Sequence, residues 1–170
     1  MTITPLPPWR EAARAAMYQA AQGELIARHG TTNVSFNYRW EHVTAVVTLA
    51  LRLAELTGAD AEIVEAAAWL HDVCKHTDGN RHPIAGAAFA RRFLPTTDFP
   101  PGKIAAVAAA IGDHMGLWRD EPLTVLESQL LWDADKLAKI GLTAVFHWTG
   151  GRLAGDEMHA LADLITLGRD

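Results

Sequence analysis

The chain has 170 residues, of which 49% are hydrophobic and 21% charged, with a formal net charge of −5. That is the length of one ordinary domain with enough apolar residues for a core, which excludes a disordered chain. The mild acidity and the lack of a basic run argue against a nucleic-acid duplex as partner, and no stretch is long and uncharged enough for a transmembrane helix. A single cysteine, Cys74, rules out an internal disulfide framework and fits a reducing compartment. Residues 1–9 lack a positive region followed by an apolar run, so no signal peptide is expected, and the expected location is the cytoplasm, away from membranes.

Ala, Leu and Glu dominate and β-branched runs are scarce, so the fold class expected is all-α. Helical segments are predicted over about 8–29, 38–56, 61–75, 83–94, 102–114, 122–140 and 154–167, punctuated by Gly30, Gly58, Gly79, Pro95, Pro100, Pro101 and Gly116. In the second segment His42, Val46, Leu49 and Leu53 share one face, which puts a histidine among apolar neighbours. In the third, Asp60 caps the start, Ile63, Ala66, Ala67 and Leu70 face inward, and His71 and Asp72 follow at once. In the sixth, Leu131, Asp135, Ala138 and Leu142 form a line that only the aspartate interrupts.

Three inward faces thus each carry an imidazole or a carboxylate, and such groups need partners or a metal when buried. Imidazole nitrogen with carboxylate oxygen suits a divalent ion of Mn, Fe, Co, Ni or Zn, with Mg as a further candidate. Asp133 and Asp135 lie two apart and point to nearly opposite sides of a helix, so they do not serve one metal together. Asp135, beside Leu131, Trp132 and Ala138, is the preferred ligand; Asp133 is the alternative, or a partner that orients a ligating imidazole.

The ordered set Tyr38-Arg39-Trp40-Glu41-His42, then Ala68-Trp69-Leu70-His71-Asp72-Val73-Cys74-Lys75, then Asp133-Ala134-Asp135-Lys136-Leu137, resembles the H…HD…D pattern of the HD-domain superfamily of metal-dependent phosphohydrolases. The resemblance covers about residues 38–142 within a chain read as one domain over 1–170. It departs from the commonest pattern at Cys74, where many relatives carry Gly. It implies a single-domain helical bundle with one or two metals between helices, and hydrolysis of a phosphate ester on a small metabolite, often a nucleotide. His42, His71, Asp72 and Asp135 would hold the metal. Lys75, one turn past the His-Asp pair, would reach a phosphate or the metal-bound water, and Arg39, one turn before His42, would orient an anionic oxygen. Asp72 or a neighbouring carboxylate would take the proton.

His82 and His114 stand where two-metal relatives carry extra histidines. The loop through Asp78, Gly79 and Asn80 need not return His82 to the metal, so the expectation leans to one ion, with His114 near its open positions. Two other readings stay open: a diiron oxygenase using His42, His71, Asp72, His82, His114 and Asp135, or a module that binds metal and nucleotide without turnover. His29, His76, His147 and His159 are read as surface or packing residues, and Lys136 and Lys139 as a solvated face from which Lys136 could touch substrate. A homodimer is compatible with so small a domain.

Overall fold

Apolar residues four apart build the first helix, α1 (Trp9–His29), whose stripe of Trp9, Ala13, Met17, Ala21 and Leu25 is buried. It ends at Gly30, which takes a left-handed φ of 70° and donates its N–H to the Ile26 carbonyl at 2.8 Å. Helix α2 (Tyr38–Thr57) starts where the Asn37 side chain accepts from the Trp40 N–H, and it buries His42, Val43, Val46, Val47, Ala50 and Ala54. The computed structural model describes residues 5–34 and 36–140, together with 144, 145 and 149.

Helix α3 (Ala61–Leu70) is the centre. Asp60 caps it by accepting from the Glu62 and Ile63 N–H groups, and seven of its ten residues are buried. A helix apolar on nearly every side must be enclosed, and α3 packs against α1 and α2 as well as α6 (Ile104–Asp113) and α7 (Leu126–Leu137). Burial of a side chain such as Leu70 contributes about 1.5–3 kcal/mol. The remaining helices are the short α4 (Lys75–Asp78) and α5 (His82–Phe93), with α5 packed on α6. Gly86 makes that contact close: a Cβ there would lie 3.1 Å from an Ile111 methyl carbon and 3.4 Å from the His71 carbonyl oxygen.

The described part is all helix and turn, as the composition implies. Two boundaries differ from expectation by four residues or more. The third helix stops at Leu70 and not near 75. Residues 71–74 form a turn with Val73 N–H to Leu70 O and Lys75 N–H to Asp72 O, both spanning three residues, before α4 resumes. The sixth predicted segment begins at Leu126, because Val125 is extended and residues 122–125 stay outside the helix. The predicted helix over 154–167 lies outside the described residues. No helix among the described residues is long and apolar enough to cross a membrane.

Candidate metal centre

The turn after α3 places His71 and Asp72 at the meeting point of α2, α5, α6 and α7. His71 is fully buried and Asp72 is 4% exposed. From α2 comes His42 and from α7 comes Asp135, both buried. His42 Nε2 stands 3.1 Å from Asp135 Oδ1 and 3.8 Å from Asp72 Oδ2. His71 Nε2 stands 3.7 Å from the same Asp72 Oδ2 and 3.9 Å from Asp135 Oδ1. His42, His71 and Asp72 therefore form one donor group, with Asp135 Oδ1 beside both imidazoles.

A second set lies on the other side of Asp72. Gly79, with φ 51° and ψ −122°, reverses the chain in a conformation that L side chains rarely adopt. The loop returns, contrary to the expectation, and α5 begins with His82 buried beside Asp72. His82 Nε2 is 3.2 Å from Asp72 Oδ1 and 3.0 Å from Nε2 of His114, the residue that ends α6. His114 Nε2 is 3.9 Å from the same Oδ1. Asp72 thus turns Oδ2 to His42 and His71, and Oδ1 to His82 and His114.

Three of the imidazoles are prepared as lone-pair donors. Nδ1 of His71, His82 and His114 lies 2.8, 2.6 and 2.6 Å from the backbone oxygens of Ala68, Gly79 and Ile111, each three residues earlier. A carbonyl only accepts, so each Nδ1 carries a hydrogen, and a neutral ring then presents Nε2 as a lone pair. The Nε2 atoms of His42 and His71 are buried without a hydrogen bond; the close approach of His42 to Asp135 lacks hydrogen-bond direction. Between His82 and His114 two such nitrogens face each other, with Asp72 Oδ1 beside them. A proton can join only one pair of these three acceptors, whereas one cation serves all three. Donors about 2.1 Å from an ion sit about 3.0–3.4 Å apart in octahedral or tetrahedral arrangement, and the shortest separations in each set fall there. The donor chemistry fits divalent cations in both sets.

The surrounding charges agree. Burial would raise the carboxyl of Asp72, yet the group is held well below the usual range, with the Arg39 guanidinium on Oδ2 among the causes. Burial likewise opposes ionisation of Asp135, yet its carboxyl is held below the usual range, with the Lys139 and Lys136 ammonium groups among the causes. Burial pushes the His114 imidazolium down to about 3 and lowers that of His71, against the pull of Asp72 and Asp135. These imidazoles stay neutral in the fold and protonate near 6.5 once unfolded. Below pH 6.5 the unfolded chain gains protons that the folded chain refuses, so the penalty is absent above that value and grows as pH falls towards about 3. Metal-free protein, treated with chelator, should show a melting temperature that declines steadily from pH 7 to 5, above the carboxylate range. A flat profile over that interval would show that these imidazoles are not held neutral.

Of the residues singled out in the sequence, His42, His71, Asp72, His82, His114 and Asp135 come together. Asp133 does not: it is exposed on the opposite face of α7, so it neither lines the cluster nor orients an imidazole within it. Lys75 is half-buried with its ammonium 3.5 Å from His82. Arg39 points inward, donating through Nε to Glu24 at 2.9 Å and through one terminal nitrogen to Asp72 Oδ2. Its charge is thereby matched within the protein by two carboxylates. Lys136 and Lys139, expected as a solvated face, both turn their ammonium groups to Asp135. Lys136 donates to Asp135 Oδ2 at 2.7 Å and to the His114 carbonyl at 2.8 Å, and Lys139 donates to Asp135 Oδ1 at 2.6 Å. His29 and His76 are exposed, and His147 and His159 lie outside the described residues. Sequence reasoning passed over Glu24, although it carried a signal: it sits beside the buried stripe of α1, one turn from Ala21, as a carboxylate on an apolar face.

The profile of the HD domain matches residues 39–140. The protein YpgQ of Bacillus subtilis is 29% identical over 153 residues, which cover 85% of this chain and 74% of that protein. The crystal structure of a predicted HD superfamily hydrolase from an uncultured Thermotogales bacterium is similar at a TM-score of 0.64 and 26% identity, over 88% of this chain and 84% of that one. A crystal structure from Lactobacillus plantarum matches at a TM-score of 0.52 and 26% identity, over 95% and 69%. With the profile spanning more than half of its length and the His and Asp residues of the pattern gathered in one buried cluster, this chain belongs to the HD domain family.

Proposed function

We propose that this protein hydrolyses small phosphate esters, nucleotides among them, with two divalent cations held on either side of Asp72. The observation that carries this reading is the division of the Asp72 carboxylate, with Oδ2 facing His42 and His71 and Oδ1 facing His82 and His114. The similar Thermotogales protein is described as a predicted hydrolase, which supports the reaction class. Cations bound there would screen phosphoryl oxygens and lower the pKa of a bound water.

The chain's own residues divide the remaining work. The imidazoles supply lone pairs, and the hydrogen bonds at Nδ1 of His71, His82 and His114 keep those three rings from turning. Lys75 brings an ammonium beside His82, placed to pair with an anionic substrate oxygen. Asp72 is ill suited to the proton-accepting role that its position in the motif implies. Its surroundings hold it well below the usual carboxylate range, so it keeps a proton poorly, and both of its oxygens face donor sets.

The test joins elemental analysis to phosphate release. Protein supplied with Mn, Co, Ni, Mg or Fe should hold two ions per chain with at least one of these metals, and should release phosphate or pyrophosphate from members of a panel of nucleotides and simple phosphate esters. His82→Ala and His114→Ala should each lower the content from about two ions to about one while the His42–His71 side stays filled. A parent with one ion, matched by both variants, would reduce the site to a single centre. The four imidazoles and two carboxylates also suit a diiron oxygenase. Oxygen uptake by iron-loaded protein on addition of a substrate, with no phosphate released from any ester, would decide for that chemistry.

A further inference from the structure

A buried chain of charges runs from α1 to the shared carboxylate. Glu24 is 6% exposed, although it is a glutamate on a helix that borders solvent. Its Oε2 accepts from Arg39 Nε at 2.9 Å, and its Oε1 forms an ion pair with Arg28 at 2.7 Å. Arg39, with its side chain 10% exposed, then donates to Asp72 Oδ2. A buried glutamate and a buried arginine are costly to desolvate, and they persist only where the geometry satisfies both. Here one planar guanidinium is held at one edge by Glu24 and presses a terminal nitrogen on one oxygen of Asp72, so the rotation of that carboxylate is fixed from outside the donor sets.

The effect is visible in the distances. Asp72 Oδ2, which accepts from Arg39, stands 3.7–3.8 Å from the nearest imidazole nitrogens, whereas Oδ1, which does not, approaches His82 to 3.2 Å. We propose that Glu24 and Arg39 are positioning residues that set the rotation of Asp72 and divide its two oxygens between the donor sets; this rests on the two-cation reading above. Without them the carboxylate turns to serve one set with both oxygens and weakens the other. The same pair limits the positive charge beside the centre, because Glu24 offsets Arg39.

The probe is Mn(II) alone, titrated into metal-free parent, Glu24→Gln, Arg39→Lys and Arg28→Gln, with binding followed by chelator competition and electron paramagnetic resonance. The parent should take up two ions and give the exchange-coupled spectrum of a carboxylate-bridged pair. Glu24→Gln removes the anchoring charge, and Arg39→Lys keeps the charge but lacks the second edge of the fork. Each should retain the first ion, bind the second at least about tenfold more weakly, in the range seen when partners of metal ligands are replaced, and lose the coupled spectrum. Arg28→Gln should match the parent, because the Arg28 side chain is 62% exposed and its loss leaves the Glu24–Arg39 contact in place. A purely structural pair would lower the melting temperature of Glu24→Gln and Arg39→Lys without altering the ratio of the two affinities. If both variants titrate like a two-ion parent, the positioning role is overturned and the two-cation reading stands. A parent that takes up fewer than two ions overturns that reading, and the positioning role with it.

Discussion

Replacement of Asp72 by Ala is expected to abolish cation binding in both donor sets and to reduce turnover to background, while the helical circular dichroism spectrum persists. Asp72 is the member common to both clusters, so its loss leaves His82 and His114 without a carboxylate and leaves His42 and His71 with Asp135 alone. Loss of the shared charge should weaken each set at least about 100-fold, which corresponds to about 2.7 kcal/mol. The fold does not depend on it, because α3 and its neighbours are packed through Val64, Ala67, Leu70, Val107, Ile111 and Leu131, all buried without reference to the site. This separates the protein from small metal-dependent folds that unfold when the ion is removed. A variant that binds Mn(II) as tightly as the parent would remove Asp72 from the centre.

The second large effect is expected at Gly86, where fold and site meet. A single added carbon already lies 3.1 Å from the Ile111 methyl carbon and 3.4–3.5 Å from the carbonyl oxygens of His71 and Leu70. Ala asks the Ile111 side chain to give by a few tenths of an ångström. Leu would drive a branched side chain against two backbone carbonyls that cannot yield cheaply, and overpacking of this kind costs about 1–3 kcal/mol or more. Gly86→Leu should therefore unfold at a clearly lower temperature, by roughly 4 °C or more for a chain of this size. It should also lose the second cation first, because α5 carries His82 and the displaced Ile111 lies on α6 three residues before His114. Thermal melts and Mn(II) titration of the Ala and Leu variants check both. Full stability in Gly86→Leu would show that α5 does not approach the turn after α3 this closely.

Much of this arrangement is legible in the sequence. The stripe from Trp9 to Leu25, the Asp60 cap and the lone polar residues on the apolar faces of α2 and α7 follow from helical spacing alone. The end of α3 at Leu70 does not. Residues 61–75 contain neither Gly nor Pro, so nothing in the local sequence marks the turn that aims His71 and Asp72. The return of His82 was encoded in Gly79, whose left-handed turn reverses the chain, but a glycine marks a turn without stating where the chain goes next. The contacts of Arg39 with Glu24 and Asp72 join residues 15 and 33 positions apart, beyond what periodicity can pair, and for that reason Arg39 reads from sequence as a substrate contact. Lys139, one turn after Asp135, reads as solvated for a different reason: its side chain is 47% exposed, yet its ammonium reaches Asp135.

The most direct test of the shared carboxylate is anomalous diffraction from crystals of the protein grown with Mn(II). The arrangement of donor atoms predicts two manganese peaks, one bounded by His42, His71, Asp135 and Asp72 Oδ2, the other by His82, His114 and Asp72 Oδ1. A single peak, or two peaks of which either lies away from Asp72, would contradict it.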